Sequence, residues 1–165
     1  MEQNPRPALG SLHAVLVEPE IAANTGAIGR TCVAAGARLW LVRPLGFHLD
    51  ARHLRRAALD YWEHLDLRVV NSLDEARSAI EPGRLWYFST KAKRLYSDAA
   101  FAVGDGLVFG PETRGLPARL LDEAGDRAVR IPIRPEARSL NLANAVAIAV
   151  FEAVRQIGNL ADASG

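Results

Sequence analysis

Short apolar runs alternate with amphipathic stretches along the chain. Leu12–Val17, Arg38–Val42, Leu67–Val70, Arg84–Ser89, Leu107–Phe109 and Ala128–Ile131 are brief and nearly all apolar, the pattern of strands covered on both faces. Between them the spacing predicts helices: Asn24–Ala35, stopped by Gly36; Asp50–Leu59, opened by an N-cap type residue; and a helix running to Ile80 from the capping box Ser72-Leu-Asp-Glu75. A last helix, from about Asn141 to Gln156, ends before Gly158. Strands alternating with helices imply an α/β fold, a mostly parallel sheet with helices on both faces.

The last helix carries more apolar surface than one core contact needs. Leu142, Val146, Val150, Val154 and Ile157 make one stripe, and Ala143, Ala145, Ala147, Ile148 and Ala149 fill most of the remainder. A helix apolar on several sides is buried on more than one of them. Its second contact is either the core of a monomer or a subunit partner, and periodicity leaves both open.

With 165 residues, 49% of them hydrophobic, the chain suits one domain over residues 12–158, with flexible tails at 1–11 and 159–165. No repeat, low-complexity segment or linker divides it. The net charge of +1 means that any nucleic-acid partner must be met by a local patch. The single cysteine, Cys32, excludes an intrachain disulfide and a cysteine-built zinc site and suits a reducing compartment, so the cytoplasm is expected. No apolar run is long enough to span a membrane, and the start lacks the basic and then apolar regions of a signal peptide. His13, His48, His53 and His64 have no metal-ligand spacing, so no metal is expected; His13, inside the first strand, reads as structural.

Candidate chemistry gathers where two strands break. Leu107-Val-Phe-Gly-Pro-Glu-Thr-Arg-Gly-Leu116 and Ile131-Pro-Ile-Arg-Pro-Glu-Ala-Arg-Ser-Leu-Asn-Leu-Ala-Asn-Ala145 put glycine, proline and small polar residues at strand ends, where rigid turns can wrap a flat ligand. Gly110 and Gly115 have P-loop spacing, but Leu116-Pro117 follows instead of Lys and Ser or Thr, so phosphate cleavage is disfavoured. Asn24-Thr-Gly-Ala-Ile-Gly29 is G-x-G-x-x-G without its first glycine, which disfavours dinucleotide binding. Cys32 sits mid-helix among Val33, Ala34 and Ala35 and reads as a core thiol. Tyr61-Trp62 could stack a base, with packing as the default reading.

Three blocks together resemble a known family. Asn24-Thr-Gly-Ala-Ile-Gly-Arg30, Phe109-Gly-Pro-Glu-Thr-Arg-Gly-Leu116, and Ile131-Pro-Ile with Arg138-Ser-Leu-Asn-Leu-Ala-Asn-Ala-Val146 look like the three motifs of the SpoU-type ribose 2′-O-methyltransferases of the SPOUT class, in order and separation as well as content. The resemblance runs from about Leu12 to Gly158. Val17-Glu-Pro-Glu-Ile21 and Leu54-Arg-Arg-Ala-Ala-Leu-Asp-Tyr61 most resemble the compact branch that acts on the tRNA wobble nucleotide. The resemblance implies a deep trefoil α/β knot, S-adenosylmethionine as cofactor without metal, a tRNA substrate, and a homodimer in which each site is completed by the neighbour. By carry-over, Phe88, Ser89, Gly110, Ile131 and Ser139 hold the cofactor, with Leu140 and Asn144 as additions.

Among the motif residues, Arg30 is the candidate for chemistry, and the resemblance gives it a general-base role. A guanidinium is effectively always protonated, which favours Arg30 as a group that binds phosphate and stabilises a developing alkoxide. Literal deprotonation stays open. Glu112 is expected to orient Arg30, and Asn24 and Asn141 to brace the loops or the nucleotide. For RNA, Arg52, Arg55 and Arg56 share a helix face and Lys91, Lys93 and Arg94 cluster after the fourth strand, two patches suited to phosphate contact. Alternative readings are action at another tRNA or ribosomal RNA position, or a non-catalytic RNA-binding module on the same fold.

Overall fold

Parallel pairing throughout sends every strand of the sheet out at the same edge. The computed structural model describes residues 12–50 and 59–158. Within them β1 (His13–Val17), β2 (Arg38–Val42), β3 (Leu67–Val70), β4 (Leu85–Phe88), β5 (Arg94–Leu95), β6 (Gly106–Phe109) and β7 (Ala128–Arg130) form one sheet in the order β3-β2-β1-β6-β4-β7-β5. Each ladder is parallel. The helices are α1 (Ala22–Ala35), α2 (Leu73–Ile80), α3 (Ala118–Ala124) and α4 (Leu142–Ile157).

Strand residues alternate between two apolar layers. Leu16, Leu39, Leu41, Phe88, Leu107 and Phe109 pack with Ile28 and Cys32 of α1 and with Val146, Val150 and Val154 of α4. Val15, Trp40, Leu85, Tyr87 and Val108 pack with Ala76 and Ile80 of α2 and against Leu120 and Leu121 of α3. Both faces are covered, which is why the strands read as continuous apolar runs. The stripe expected on α4 is the core contact, and α4 also packs directly on α1. Ile148 and Phe151, on its other side, are 38% and 40% exposed.

Helix ends show where local sequence decides and where it does not. Ser72 caps α2 by accepting from the Glu75 N–H at 3.2 Å, and Asn141 caps α4 by accepting from the Asn144 N–H at 3.3 Å. Gly36 and Gly158 end α1 and α4 with left-handed φ of 71° and 77°. The start of α1 differs from expectation. The helix begins at Ala22, ahead of the expected Asn24, and its N-cap Ile21 offers no side-chain acceptor. Instead the Glu112 carboxylate, distant in sequence, accepts from the Ile21 N–H at 3.1 Å and the Glu20 N–H at 2.7 Å.

β5 and α3 were not expected. The first spans two residues and has no periodic signal. The second is flagged only by Pro117 before it and Gly125 after it, the usual punctuation of a short helix. The helix expected from Asp50 lies mostly outside the described residues, as do both expected tails; a short 3₁₀ helix, Leu59–His64, follows it.

Two buried polar groups tie the strand starts. Asp105 is 1% exposed and accepts from Arg84, the Trp86 indole and the Ala102 N–H. Burial pushes its carboxyl up, but these hydrogen bonds outweigh that and hold it below the ordinary range. His13 is 6% exposed and its Nδ1 accepts from Trp40 Nε1 at 3.0 Å. Burial, reinforced by nearby Arg38, lowers its pKa to about 4. The fold therefore favours neutral His13, and this stabilisation is complete above the unfolded pKa near 6.5 and lost as pH falls from there through about 4. Unfolding free energy should drop by roughly 2–3 kcal/mol across that window. Denaturant titrations of the parent and of His13→Gln check this; an equally steep acid loss in the variant would clear His13.

Candidate active site at the carboxyl ends of the strands

In an open parallel sheet, ligands bind beyond the carboxyl ends of the strands. Here β4, β6 and β7 deliver Ser89, Gly110 and Ile131 to that edge. The loops that follow enclose a cavity of about 590 Å³ together with Ile21 and Asn24 at the start of α1. Phe88 and Phe109, stacked with ring centroids 4.8 Å apart, reach it from the strand ends. Leu116, Ile131 and Leu140 add apolar wall, and Ser89, Thr113 and Ser139 add hydroxyls. The size and the mixed lining are those of a small-molecule site.

Backbone crowding shapes the 110–116 loop. A Cβ at Gly110 would collide with the main chain of Gly115 and Leu116, so the turn closes only around glycine. Gly115 has φ 65° and donates its N–H to the Pro111 carbonyl at 2.9 Å. A reciprocal pair of carboxylates then clamps this loop to the segment leaving β1. Glu112 accepts from the backbone of Glu20 and Ile21, while Glu20 accepts from the Thr113 hydroxyl at 2.7 Å and the Thr113 N–H at 3.3 Å. Arg114 adds an ion pair to Glu18 at 3.0 Å.

The third loop is joined to this clamp through asparagines. Asn141 Nδ2 donates to Asn24 Oδ1 at 3.1 Å, and Asn24 Nδ2 approaches Glu112 Oε1 at 3.5 Å. One residue from each motif thus meets at the cavity wall. Arg138, just before Ser139, has φ 62° and ψ −52°, and the Ser139 N–H donates to the Ala137 carbonyl at 2.7 Å. This is a γ-turn of the rare positive-φ kind, strained for a residue with a side chain.

Of the expected cofactor residues, Phe88, Ser89, Gly110, Ile131, Ser139 and Leu140 all line the cavity, and Asn144 does not. Asn144 is exposed and its backbone serves the cap of α4. Asn24, Glu112 and Asn141 line the cavity, but Arg30 does not. The expectation that Glu112 orients Arg30 is corrected: the Glu112 carboxylate is taken up by α1's entry and Asn24, and Arg30 donates instead to the Tyr61 hydroxyl at 3.4 Å. Helical geometry explains this, because Arg30 stands almost two turns beyond Asn24, past the reach of the loop.

Of the expected RNA contacts, Lys91 lines the cavity and Lys93 is exposed. Arg94 is engaged by its own chain, donating to the carbonyls of Asp126 at 3.0 Å and Asp98 at 2.7 Å, with its guanidinium 5.7 Å from the Trp86 ring. Arg52, Arg55 and Arg56 lie outside the described residues. Cys32 is buried and its pKa is pushed up to about 12, the state of an inert core thiol. Among the described residues no cluster of three or more His, Cys, Asp or Glu could hold a metal ion, and no helix is long and apolar enough to cross a membrane. The Glu20–Glu112 clamp was not foreseen, since nothing local in either segment marks the other.

Residues 11–151 match the SpoU rRNA Methylase family, a span that contains all three motif blocks. The chain belongs to this family. A tRNA (cytidine(34)-2′-O)-methyltransferase of Burkholderia pseudomallei is 51% identical over 147 residues, covering 87% of this chain and 94% of that relative. Among solved structures, one described as giving insight into 2-OH methylation of C/U34 on tRNA aligns with TM-score 0.82 at 46% identity, covering 88% of this chain and 95% of that one. An S-adenosylmethionine-bound rRNA methyltransferase from Sinorhizobium meliloti aligns with TM-score 0.77 at 28% identity, covering 91% of this chain and 58% of that one. The family match accordingly spans nearly all of the chain, and the cavity is walled by the second and third motif loops together with Asn24 of the first motif, on α1.

Proposed function

We propose that this SpoU-family chain transfers a methyl group from S-adenosylmethionine to the ribose 2′-hydroxyl of the wobble nucleotide in the tRNA anticodon loop. The observation that carries the reading is the cavity at the carboxyl ends of β4, β6 and β7, walled by the second and third motif loops and by Asn24 of the first motif, in a chain half identical over nearly its whole length to a wobble cytidine enzyme. The donor set fits the cofactor: a backbone turn closed tightly around Gly110 at the cavity wall, apolar walls from Phe88, Ile131 and Leu140, and hydroxyls from Ser89 and Ser139. When bound, the cofactor supplies an already activated sulfonium methyl group, so the difficulty lies in the weakly acidic hydroxyl.

Arg30 meets that difficulty with a permanent positive charge. Its guanidinium binds the nucleotide's phosphate and stabilises the developing alkoxide, and the hydroxyl proton passes to a phosphate oxygen or water. Because Arg30 stands off its own chain's cavity, the reading includes a homodimer in which each Arg30 serves the partner's pocket. The exposed Ile148 and Phe151 on α4, which packs on α1, offer apolar surface for it. The reading further includes the knotted threading of the 110–116 and 131–141 loops, and the cytoplasm, where tRNA is found.

Ribose-methylation mapping of RNA from cells lacking the protein tests the substrate. Loss of a single 2′-O-methyl group at the wobble position of particular tRNAs is expected; loss only in ribosomal RNA or outside the anticodon loop would refute the wobble assignment and leave the methyltransferase class intact. Binding of complete tRNA should weaken steeply as salt rises, because contacts such as those from Lys91 and Lys93 are made to phosphates.

A further inference from the structure

We infer that Tyr61 is the positioning residue for Arg30, its ring and its hydroxyl together fixing where the guanidinium points. The inference rests on the role proposed above for Arg30. The Arg30 guanidinium carbon lies 4.7 Å from the centre of the Tyr61 ring, and its NH2 group donates to the phenol oxygen at 3.4 Å. One tyrosine therefore holds the guanidinium both through the face of its ring and through its hydroxyl.

The choice of partner matters to the chemistry. Among the described residues no carboxylate lies in ion-pair contact with Arg30, whereas Arg38, Arg77, Arg84, Arg114 and Arg155 are each paired with one. A carboxylate would orient the guanidinium and cancel its charge. A phenol orients it and leaves the full charge for a phosphate or a developing alkoxide. Both residues stay accessible, Arg30 being exposed and Tyr61 39% exposed, so the pair can meet a nucleotide without rearranging a core.

A turn packed against the first motif brings Tyr61 there. Tyr61 sits on the 3₁₀ turn Leu59–His64, which packs against α1. The turn is closed by the Leu65 N–H donating to the Trp62 carbonyl at 3.1 Å. Leu65 rests on α1 at Gly29, the residue next to Arg30, where an added Cβ would stand 3.1 Å from its Cδ2. The bare backbone at Gly29 leaves the space that the Leu65 side chain occupies, so the turn carrying Tyr61 lies close against α1 beside Arg30.

Steady-state kinetics on the full-length enzyme with complete tRNA and S-adenosylmethionine tests the assignment. Tyr61→Phe keeps the ring and loses the hydrogen bond, and should lower kcat about threefold. Tyr61→Leu loses both and should lower kcat about tenfold, or ~1.4 kcal/mol in the barrier. KM for either substrate should stay within about twofold, and the melting temperature should hold, since a merely structural role would move melting and not kcat. In an Arg30→Lys background, where the forked geometry is already gone, Tyr61→Leu should add little further loss. Unchanged kcat in Tyr61→Leu overturns the inference. So does a raised tRNA KM at unchanged kcat, which would make Tyr61 an RNA-stacking platform, and so do fully additive losses in the double variant. Full activity of Arg30→Ala would fell the proposed role of Arg30 and this inference together, whereas an inactive Arg30→Ala beside a fully active Tyr61→Leu fells the inference alone.

Discussion

Arg30→Ala should lower methyl transfer by on the order of 10²–10³-fold while leaving S-adenosylmethionine affinity within about twofold, because removing one donor aimed at developing charge typically costs that much. The separation of the two effects follows from position. Arg30 does not line the cavity that holds the cofactor residues, so truncating it leaves that cavity's walls untouched. Folding should be unaffected as well, since Arg30 is exposed and alanine is the better helix former. Arg30→Lys keeps the charge and loses the planar fork, and should recover only a small part of the rate if two-point contact with phosphate matters. Calorimetry for cofactor binding and single-turnover transfer to tRNA separate the terms. Full transfer in Arg30→Ala would remove the arginine from the chemistry, and a matching collapse in cofactor affinity would relocate it to the pocket.

The scaffold was legible in the sequence because its signals are local. Strands buried on both faces must be apolar at successive positions, so β1 to β4, β6 and β7 announce themselves, and Gly36, Ser72, Asn141 and Gly158 mark helix ends through their own backbone or side-chain chemistry. The cavity was legible for a related reason, since turns that wrap a ligand at a strand end need glycine, proline and small polar residues there. Contacts between segments distant in sequence were not legible. The start of α1 was misplaced because its cap is Glu112, a residue of another loop. The same contact removed Glu112 from Arg30, whose actual partner lies on a turn packed against α1. Arg94 reads in the sequence as part of a patch for RNA phosphates, and only the fold brings the carbonyls of Asp98 and Asp126 to it. In each case a side chain with several possible partners was assigned by tertiary geometry.

Gly110→Val should abolish measurable S-adenosylmethionine binding, a loss of at least about 100-fold or ~2.7 kcal/mol. The reason is the loop before it is the ligand. The Cβ direction at Gly110 runs into the main chain of Gly115 and Leu116, so a side chain there must open the 110–116 turn, dragging Glu112 from its hold on Glu20 and Ile21. Gly110→Ala is therefore expected to lower the melting temperature of the cofactor-free protein, by an overpacking cost of about 1–3 kcal/mol. A glycine that only made room for cofactor would leave that temperature unchanged. The two disabled variants together then probe the shared site. If Arg30 of one subunit serves the pocket of the other, mixed dimers of Arg30→Ala with Gly110→Val contain one site with an intact pocket and an intact arginine. Such mixtures should regain transfer that neither variant has alone. Sedimentation confirms that mixed dimers have formed, and their complete inactivity would place Arg30 with the pocket of its own chain.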